Sequence, residues 1–478
     1  MIKPVIIVLL QLILSATSNL LFAQHASQKP NIIFILADDL GYGDIEPYGQ
    51  VKIKTPFLSR LAEEGMLFTQ FYAGTSVCAP SRSALMTGQH TGHTFIRGNK
   101  EIQPEGQYPI ADTVFTIAEA LKKAGYATGL FGKWGLGPVG SSGDPLAHGI
   151  DRFYGYNCQR QSHRYYPTHL WNNDKQVMLS ENGNLEHTKT YAPDLIQEQA
   201  LRFIEQHVQQ PFLLFLTYTL PHAELLAPDD SIYREYLGKF EEKPYRGNDY
   251  GEGATDGGYT SQLHPHATFA AMVTRLDKYV GEVLDRLKRL GIDGNTLVIF
   301  TSDNGPHTEG GADPSFFRSS GGLRGIKRDL YEGGIRVPFI ARWPGKIKPG
   351  VKNNYAGAFW DIFPTFTDIA GIAGPPHTDG ISILPALTGG NNQEEHAYLY
   401  WEFHEGGGRQ AVRKGKWKAV RLNVFKDPDG PVELYDLDKD KTETKNLAAQ
   451  YPQIARQMAD IMQQAHVESA VFPFAKVE

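Results

Sequence analysis

Asn31-Ile32-Ile33-Phe34-Ile35-Leu36-Ala37 is an unbroken strand-forming run that ends abruptly in Asp38-Asp39. A run with no polar alternation has no face to turn to water, so it predicts a strand covered on both sides, as in a parallel sheet. The pattern returns at Asn295-Thr296-Leu297-Val298-Ile299-Phe300-Thr301, which runs on to Asp303-Asn304-Gly305, and residues 212–218 lead in the same way into Pro221-His222. Helical stretches lie between. One covers residues 113–123 and is stopped by Gly125. The other covers 266–290, where Met272, Leu276, Val280, Val283 and Leu287 recur at helical spacing and Gly291 takes the C-terminal position. Strands alternating with helices predict an α/β fold built on a doubly wound, mostly parallel sheet. Ligands of such sheets gather beyond the carboxyl ends of the strands, and that is where these acids fall.

Past residue 374 the texture changes. Residues 398–403, 410–413, 417–421 and 432–437 are short alternating segments joined by Gly, Lys and Asp turns, and 451–466 reads as a last helix. The expected division is therefore an α/β domain over 24–374 and a smaller C-terminal α+β subdomain with an antiparallel sheet over 375–478. Residues 224–265 are polar and glycine-rich without a period, which predicts a long loop over the site. No internal repeat is visible.

Ahead of these, Lys3, the apolar run 5–14 and the small residue Ala23 read as a signal peptide over 1–23, because the run falls short of the ~20 apolar residues a spanning helix needs. The expectation is an exported chain, periplasmic or secreted, with no membrane attachment after cleavage. With 478 residues, 41% of them hydrophobic and 21% charged, the chain can bury a large core. Its net charge of −6 offers no basic surface for a nucleic-acid backbone, so nucleic acid is not an expected partner.

Asp38, Asp39, Asp303 and Asn304 supply three carboxylates and an amide oxygen, with no thiolate or imidazole among them. That is the donor set of a hard cation, Ca²⁺ first and Mg²⁺ as the alternative. Two acid pairs at equivalent strand ends would otherwise repel.

The most specific segment is Cys78-Ala79-Pro80-Ser81-Arg82, followed by Ser83-Ala84-Leu85-Met86-Thr87-Gly88. With Asp38-Asp39, Gly132-Lys133-Trp134, Pro221-His222, Asp303-Asn304-Gly305, Gly325-Ile326-Lys327 and the closing Glu433-Leu434-Tyr435-Asp436-Leu437, it resembles the type I, formylglycine-dependent sulfatases, in the branch of arylsulfatase A and the N-acetylgalactosamine sulfatases. The resemblance implies an alkaline-phosphatase-like fold and a Cys78 oxidised to formylglycine by a separate maturase. It places residue 78 with Asp38, Asp39, Asp303 and Asn304 around one ion. Arg82, Lys133 and Lys327 become the cations that meet charge building on a sulfate ester, and His222 the general acid. An aldehyde hydrate offers two hydroxyls on one carbon, so one can attack sulfur and deprotonation of the other can expel sulfate. A disulfide between Cys78 and Cys158 would block this, which leaves Cys158 as a free buried thiol.

One position departs from the family. Many members read Gly-Lys-Trp-His-Leu-Gly where this chain has Gly132-Lys133-Trp134-Gly135-Leu136-Gly137. The base that releases sulfate must then come from elsewhere, with His307 or Asp303 as candidates. Residues 154–171, carrying His163, Arg164, Tyr165, Tyr166, His169 and Trp171, supply groups suited to a sugar, and the resemblance favours a galactose- or N-acetylgalactosamine-type sulfate. Two other readings stay open at this point: a phosphodiesterase or phosphonate monoester hydrolase of the same superfamily, and a non-catalytic glycan-binding relative.

Overall fold

The computed structural model describes residues 29–474 apart from 104, 106, 186 and 250–257, so the signal-peptide segment 1–23 lies outside the described residues. Strands β1 (Asn31–Ala37), β2 (Met66–Tyr72), β3 (Ala127–Lys133), β4 (Arg152–Tyr156), β5 (His169–Asn172), β6 (Lys175–Met178), β7 (Phe212–Thr217), β8 (Thr296–Ser302), β9 (Arg336–Arg342) and β10 (Val351–Ala358) form one sheet in the order β10-β2-β9-β8-β1-β7-β3-β4-β5-β6. Its centre, β8-β1-β7-β3-β4, is parallel throughout, as the apolar runs predict. The sheet as a whole is mixed, because β9 runs against both β8 and β2, and β5 and β6 add an antiparallel hairpin at the far edge.

Both faces of β1 are covered, which is why its sequence lacks alternation. Ile33, Ile35 and Ala37 enter one apolar layer with the helices Pro265–Leu290 and Ala192–Gln206, whereas Ile32, Phe34 and Leu36 enter the other with Cys78–Thr87, Ile117–Lys123 and Ile362–Ala370. The second helix begins at Ile117 rather than near 113. Thr116 Oγ1 accepts the Glu119 N–H and the Glu119 carboxylate accepts the Thr116 N–H, a reciprocal cap that fixes the first turn there.

Strands β11 (Leu399–Phe403), β12 (Arg409–Lys414), β13 (Trp417–Leu422) and β14 (Val432–Asp436) form a separate antiparallel sheet in sequence order. One face packs on Met458, Met462 and Ala465 of the helix Pro452–Ala465. The other carries Trp401, Phe403 and Val420 onto Tyr72, Tyr331 and Trp360 of the large domain. Ile383 and Leu387, which precede β11 in sequence, pack into the core of the large sheet. Among the described residues no helix is long and apolar enough to cross a membrane.

Candidate active site

Four neighbouring parallel strands, β8, β1, β7 and β3, end at one level. Register pairs Ala37 with Ser302 and Gly132 with Thr217. Asp38-Asp39, Lys133, His222 and Asp303-Asn304 are therefore delivered to the same edge by chain geometry alone. The Asp303 N–H donates to the Ala37 carbonyl (3.1 Å), which sets Asp303 beside Asp38. Asp39 has a left-handed backbone (φ 61°), uncommon for a residue with a Cβ, and its N–H donates to Asp303 Oδ1 at 3.1 Å.

Cys78 is the first residue of the Cys78–Thr87 helix and only 2% exposed, with Sγ 3.3 Å from Asp38 Oδ1 and 4.0 Å from Asp39 Oδ1. Arg82 follows one helical turn later and so shares its face. The guanidinium donates from Nε and Nη2 to Asp303 Oδ2 (3.0 and 2.8 Å) and from Nη1 to the Lys133 carbonyl (2.7 Å). Lys133 Nζ donates to Asp38 Oδ2 (2.6 Å) and Lys327 Nζ to Asp39 Oδ2 (2.7 Å), all four side chains being buried. Three carboxylates and three cations thus balance one another in a volume closed to bulk water. Neutralised charge of this kind tolerates burial, whereas an unpaired carboxylate there would not.

Protonation follows from these partners. Burial alone would raise the Asp38 carboxyl, but Lys133, His222 and Arg82 outweigh it and hold Asp38 well below the usual carboxylate range. Burial and the adjoining Asp38 push Asp303 up to about 7. Burial, reinforced by Asp38, drives the Cys78 thiol well above its ordinary value, so as a plain thiol it is a poor nucleophile. Burial and then Lys327 keep His222 below the usual imidazole range. Its Nδ1–H faces the Ala223 carbonyl, which leaves Nε2 to accept from Lys327 Nζ at 3.0 Å. The proton shared across the Lys327–His222 contact rests on Lys327: burial opposes the charge there, yet Asp39 holds the amine well above its ordinary value.

The donor set fits a hard divalent cation. Asn304 Oδ1 is buried and accepts no hydrogen bond among the described residues, while Asp38, Asp39, Cys78 and also His222 offer ligand atoms within 4.8 Å of one another. A cation among them would relieve the repulsion that raises Asp303.

His307 reaches this end of the sheet but is already engaged. Its Nε2 lies 3.2 Å from the Pro221 carbonyl and its Nδ1 3.1 Å from Glu309 Oε2; burial opposes the charge, yet Glu309 holds the imidazole above its usual range. His163, which the sequence offered only as part of a sugar-binding segment, lies parallel to His222 (ring centroids 4.3 Å, 9°), and His307 flanks it on the other side at 5.5 Å. Tyr259, from the loop expected over the site, stands 5.7 Å from the His163 ring. Arg164 is spent on a buried ion pair with Glu224 (2.8 Å), and Tyr165 and Tyr166 pack in the core. Cys158 is a buried free thiol, as is Cys78. The residue that sequence reasoning missed is Gln159. Gly135 has a left-handed backbone (φ 77°), and the Gln159 amide occupies the space its Cβ would need, next to the Arg82 stem.

A family model described as Sulfatase matches residues 30–372, and one described as N-sulphoglucosamine sulphohydrolase, C-terminal, matches 326–468. The chain is 33% identical to the N-acetylgalactosamine-6-sulfatase of Canis lupus familiaris, over 86% of this chain and 74% of that protein. It is also 33% identical to the arylsulfatase A of Bos taurus, with 94% and 89% covered. Among solved structures, that of Ps i-CgsB in complex with k-i-k-neocarrahexaose superposes with a TM-score of 0.75 at 26% identity, covering 91% of this chain and 92% of that one.

Proposed function

This chain belongs to the sulfatase family, in the branch of arylsulfatase A and the N-acetylgalactosamine sulfatases, and from that premise we propose that it removes sulfate from a galactose- or N-acetylgalactosamine-type sulfated carbohydrate through an oxidised Cys78. The observation that carries this reading is the position of Cys78: it opens a helix at the edge where three carboxylates and three buried cations converge. Oxidised to formylglycine by a separate maturase and hydrated, residue 78 supplies two hydroxyls on one carbon, one to attack sulfur and one whose deprotonation expels sulfate. Asp38, Asp39, Asp303 and Asn304, with residue 78, would hold one Ca²⁺, with Mg²⁺ as the alternative, which adds positive charge facing the sulfate oxygens.

The chain's own groups divide the remaining work. Arg82 and Lys133 are fixed by Asp303 and Asp38, so they meet the sulfate without reorganising as charge builds on it. Lys327 and His222 share a proton between Nζ and Nε2 and deliver it to the leaving oxygen. Asp38 Oδ1, 3.3 Å from the Cys78 sulfur, is the hydrogen-bond acceptor that orients residue 78, while Asp303, pushed up to about 7, is the carboxylate basic enough to take its proton. His307 acts one ring further back, buttressing His222. His163 and Tyr259 stand on the leaving-group side and offer a ring and a hydroxyl to a sugar. The names of the curated relatives favour an N-acetylgalactosamine sulfate, and they do not favour a phosphodiester or phosphonate substrate. Cleavage after Ala23 and export complete the reading.

The test is intact mass together with turnover. Maturation lowers the mass by about 18 Da, and Cys78→Ala abolishes hydrolysis of an aryl sulfate while leaving the unfolding transition in place. Full multiple turnover by the alanine variant would overturn the reading.

A further inference from the structure

Lys327 stands in irregular chain between residues 318 and 331, unlike Lys133, which a central strand carries. Two backbone bonds tie it inward: its own N–H donates to the Pro306 carbonyl (2.8 Å) and the Arg328 N–H to the Ser76 carbonyl (2.9 Å). Arg328 adopts a left-handed backbone (φ 77°), so this segment is held against its own preference.

Glu309 of the large domain pairs with Arg328 and lies 3.7 Å from Lys327 Nζ, and further ties come from the second sheet. Arg409, the first residue of β12, donates to Asp329 Oδ1 (2.7 Å) and to the Arg328 carbonyl. The other carboxylate oxygen of Asp329 accepts the Ile326 N–H (3.1 Å), so one side chain closes the turn around Lys327 and hands it to Arg409. A few residues on, Lys418 of β13, fully buried, bridges Glu332 (2.9 Å) and Glu443 (3.0 Å), and Glu443 accepts the Glu332 N–H at 2.6 Å. On the other side of Lys327, Arg324 donates to Tyr435 Oη of β14 (2.9 Å) and to the Glu443 carbonyl (2.8 Å), so the chain before and after Lys327 is tied to the C-terminal sheet.

We propose that this sheet is a clamp for the Lys327–His222 couple, with Arg409 as the positioning residue that acts through Asp329. The inference rests on the reading that Lys327 and His222 serve the leaving oxygen. Arg409 holds the turn that bears Lys327 through Asp329, and among the described residues it bonds neither the metal ligands nor Cys78. Its side chain is about a quarter exposed (24%), with the guanidinium 5.5 Å from the Phe403 ring centroid at the rim of the sheet. Small displacements of a positioned acid lower the rate without changing affinity for the sulfate.

The experiment compares phenyl sulfate with 4-nitrophenyl sulfate, because an acid that protonates the leaving oxygen matters most for the poorer leaving group. Arg409→Ala is expected to lower kcat about tenfold on phenyl sulfate and less than about threefold on 4-nitrophenyl sulfate, with KM within about twofold and little change in the unfolding midpoint. Arg409→Lys, which reaches Asp329 with a single prong, should restore most of the loss. Arg409→Gln, which keeps the stem over Phe403 but loses the charged fork, reads the same ratio if the alanine variant fails to fold. Equal losses on both esters, a loss confined to KM, or no loss would overturn the clamp. Lys327→Ala run alongside separates the two levels: if it spares phenyl sulfate turnover, the role of Lys327 is itself wrong and the clamp falls with it. If it is inactive while Arg409→Ala is normal, only the clamp is wrong.

Discussion

The amide of Gln159 sits where a side chain on residue 135 would have to be, and Gly135 holds a left-handed backbone beneath it. Placing at residue 135 the histidine that the family resemblance leads one to expect is therefore not neutral in this chain. Gly135→His should cost about 2–3 kcal/mol, from the left-handed conformation and the collision together. Gly135→His combined with Gln159→Gly should recover the part due to collision. Urea unfolding of the three proteins at constant slope measures both; a single variant as stable as the parent would refute the account.

His90 predicts an acid sensitivity that has nothing to do with catalysis. Its Nδ1 accepts the Gly92 N–H, its Nε2 is buried and makes no hydrogen bond among the described residues, with Asp379 Oδ1 3.7 Å away, and burial, helped by His93, lowers its pKa to about 4 despite Asp379. Between pH 6.5 and 4 the unfolded chain takes a proton here and the folded chain does not. Stability is complete above 6.5 and declines as pH falls through that window, by up to about 3 kcal/mol from this residue. His90→Gln should be less stable than the parent at pH 7.5, yet lose less on going to pH 4.5. Parallel pH profiles for the two proteins would count against a neutral buried His90.

Stripping divalent ions should cost both rate and stability. An ion bound only by the folded chain at a hundredfold excess over its Kd contributes about 2.7 kcal/mol. Chelator-treated protein should unfold at a lower temperature and regain activity and midpoint with Ca²⁺, less completely with Mg²⁺. Undiminished turnover and an unchanged midpoint, in material shown by elemental analysis to be metal-free, would remove the ion from the reading.

What could be read from sequence was what the chain states locally. The run 31–37 announces a strand buried on both faces, and the acids that follow it land where a parallel sheet puts its ligands. The ends of elements drifted by a few residues because caps such as Thr116–Glu119 decide them, not periodicity. The antiparallel strand β9 beside the parallel centre was not legible, since its interior is apolar like that of β8 and direction leaves no mark on composition. Nor was the company of His222: imidazoles from residues 163 and 307 meet its two faces only because three separate loops converge. Arg409, about eighty residues from Asp329 in the chain, gave no signal at all, since a lone surface arginine reads the same whether or not it closes a turn elsewhere.

Cys78 lies at 2% exposure behind its own helix and the Asp38–Lys133 pair. An enzyme that must seat this residue in its own active site cannot reach it in the folded chain, and folded chains open globally only about one part in 10³ to 10⁶ of the time. On the proposed reading, in which a separate maturase oxidises Cys78, folding competes with maturation. A chain that folds first would then keep its thiol, correctly shaped but inert. Activity per molecule would report how fast the maturase worked relative to the closing of the sheet, and faster expression would lower it without lowering yield.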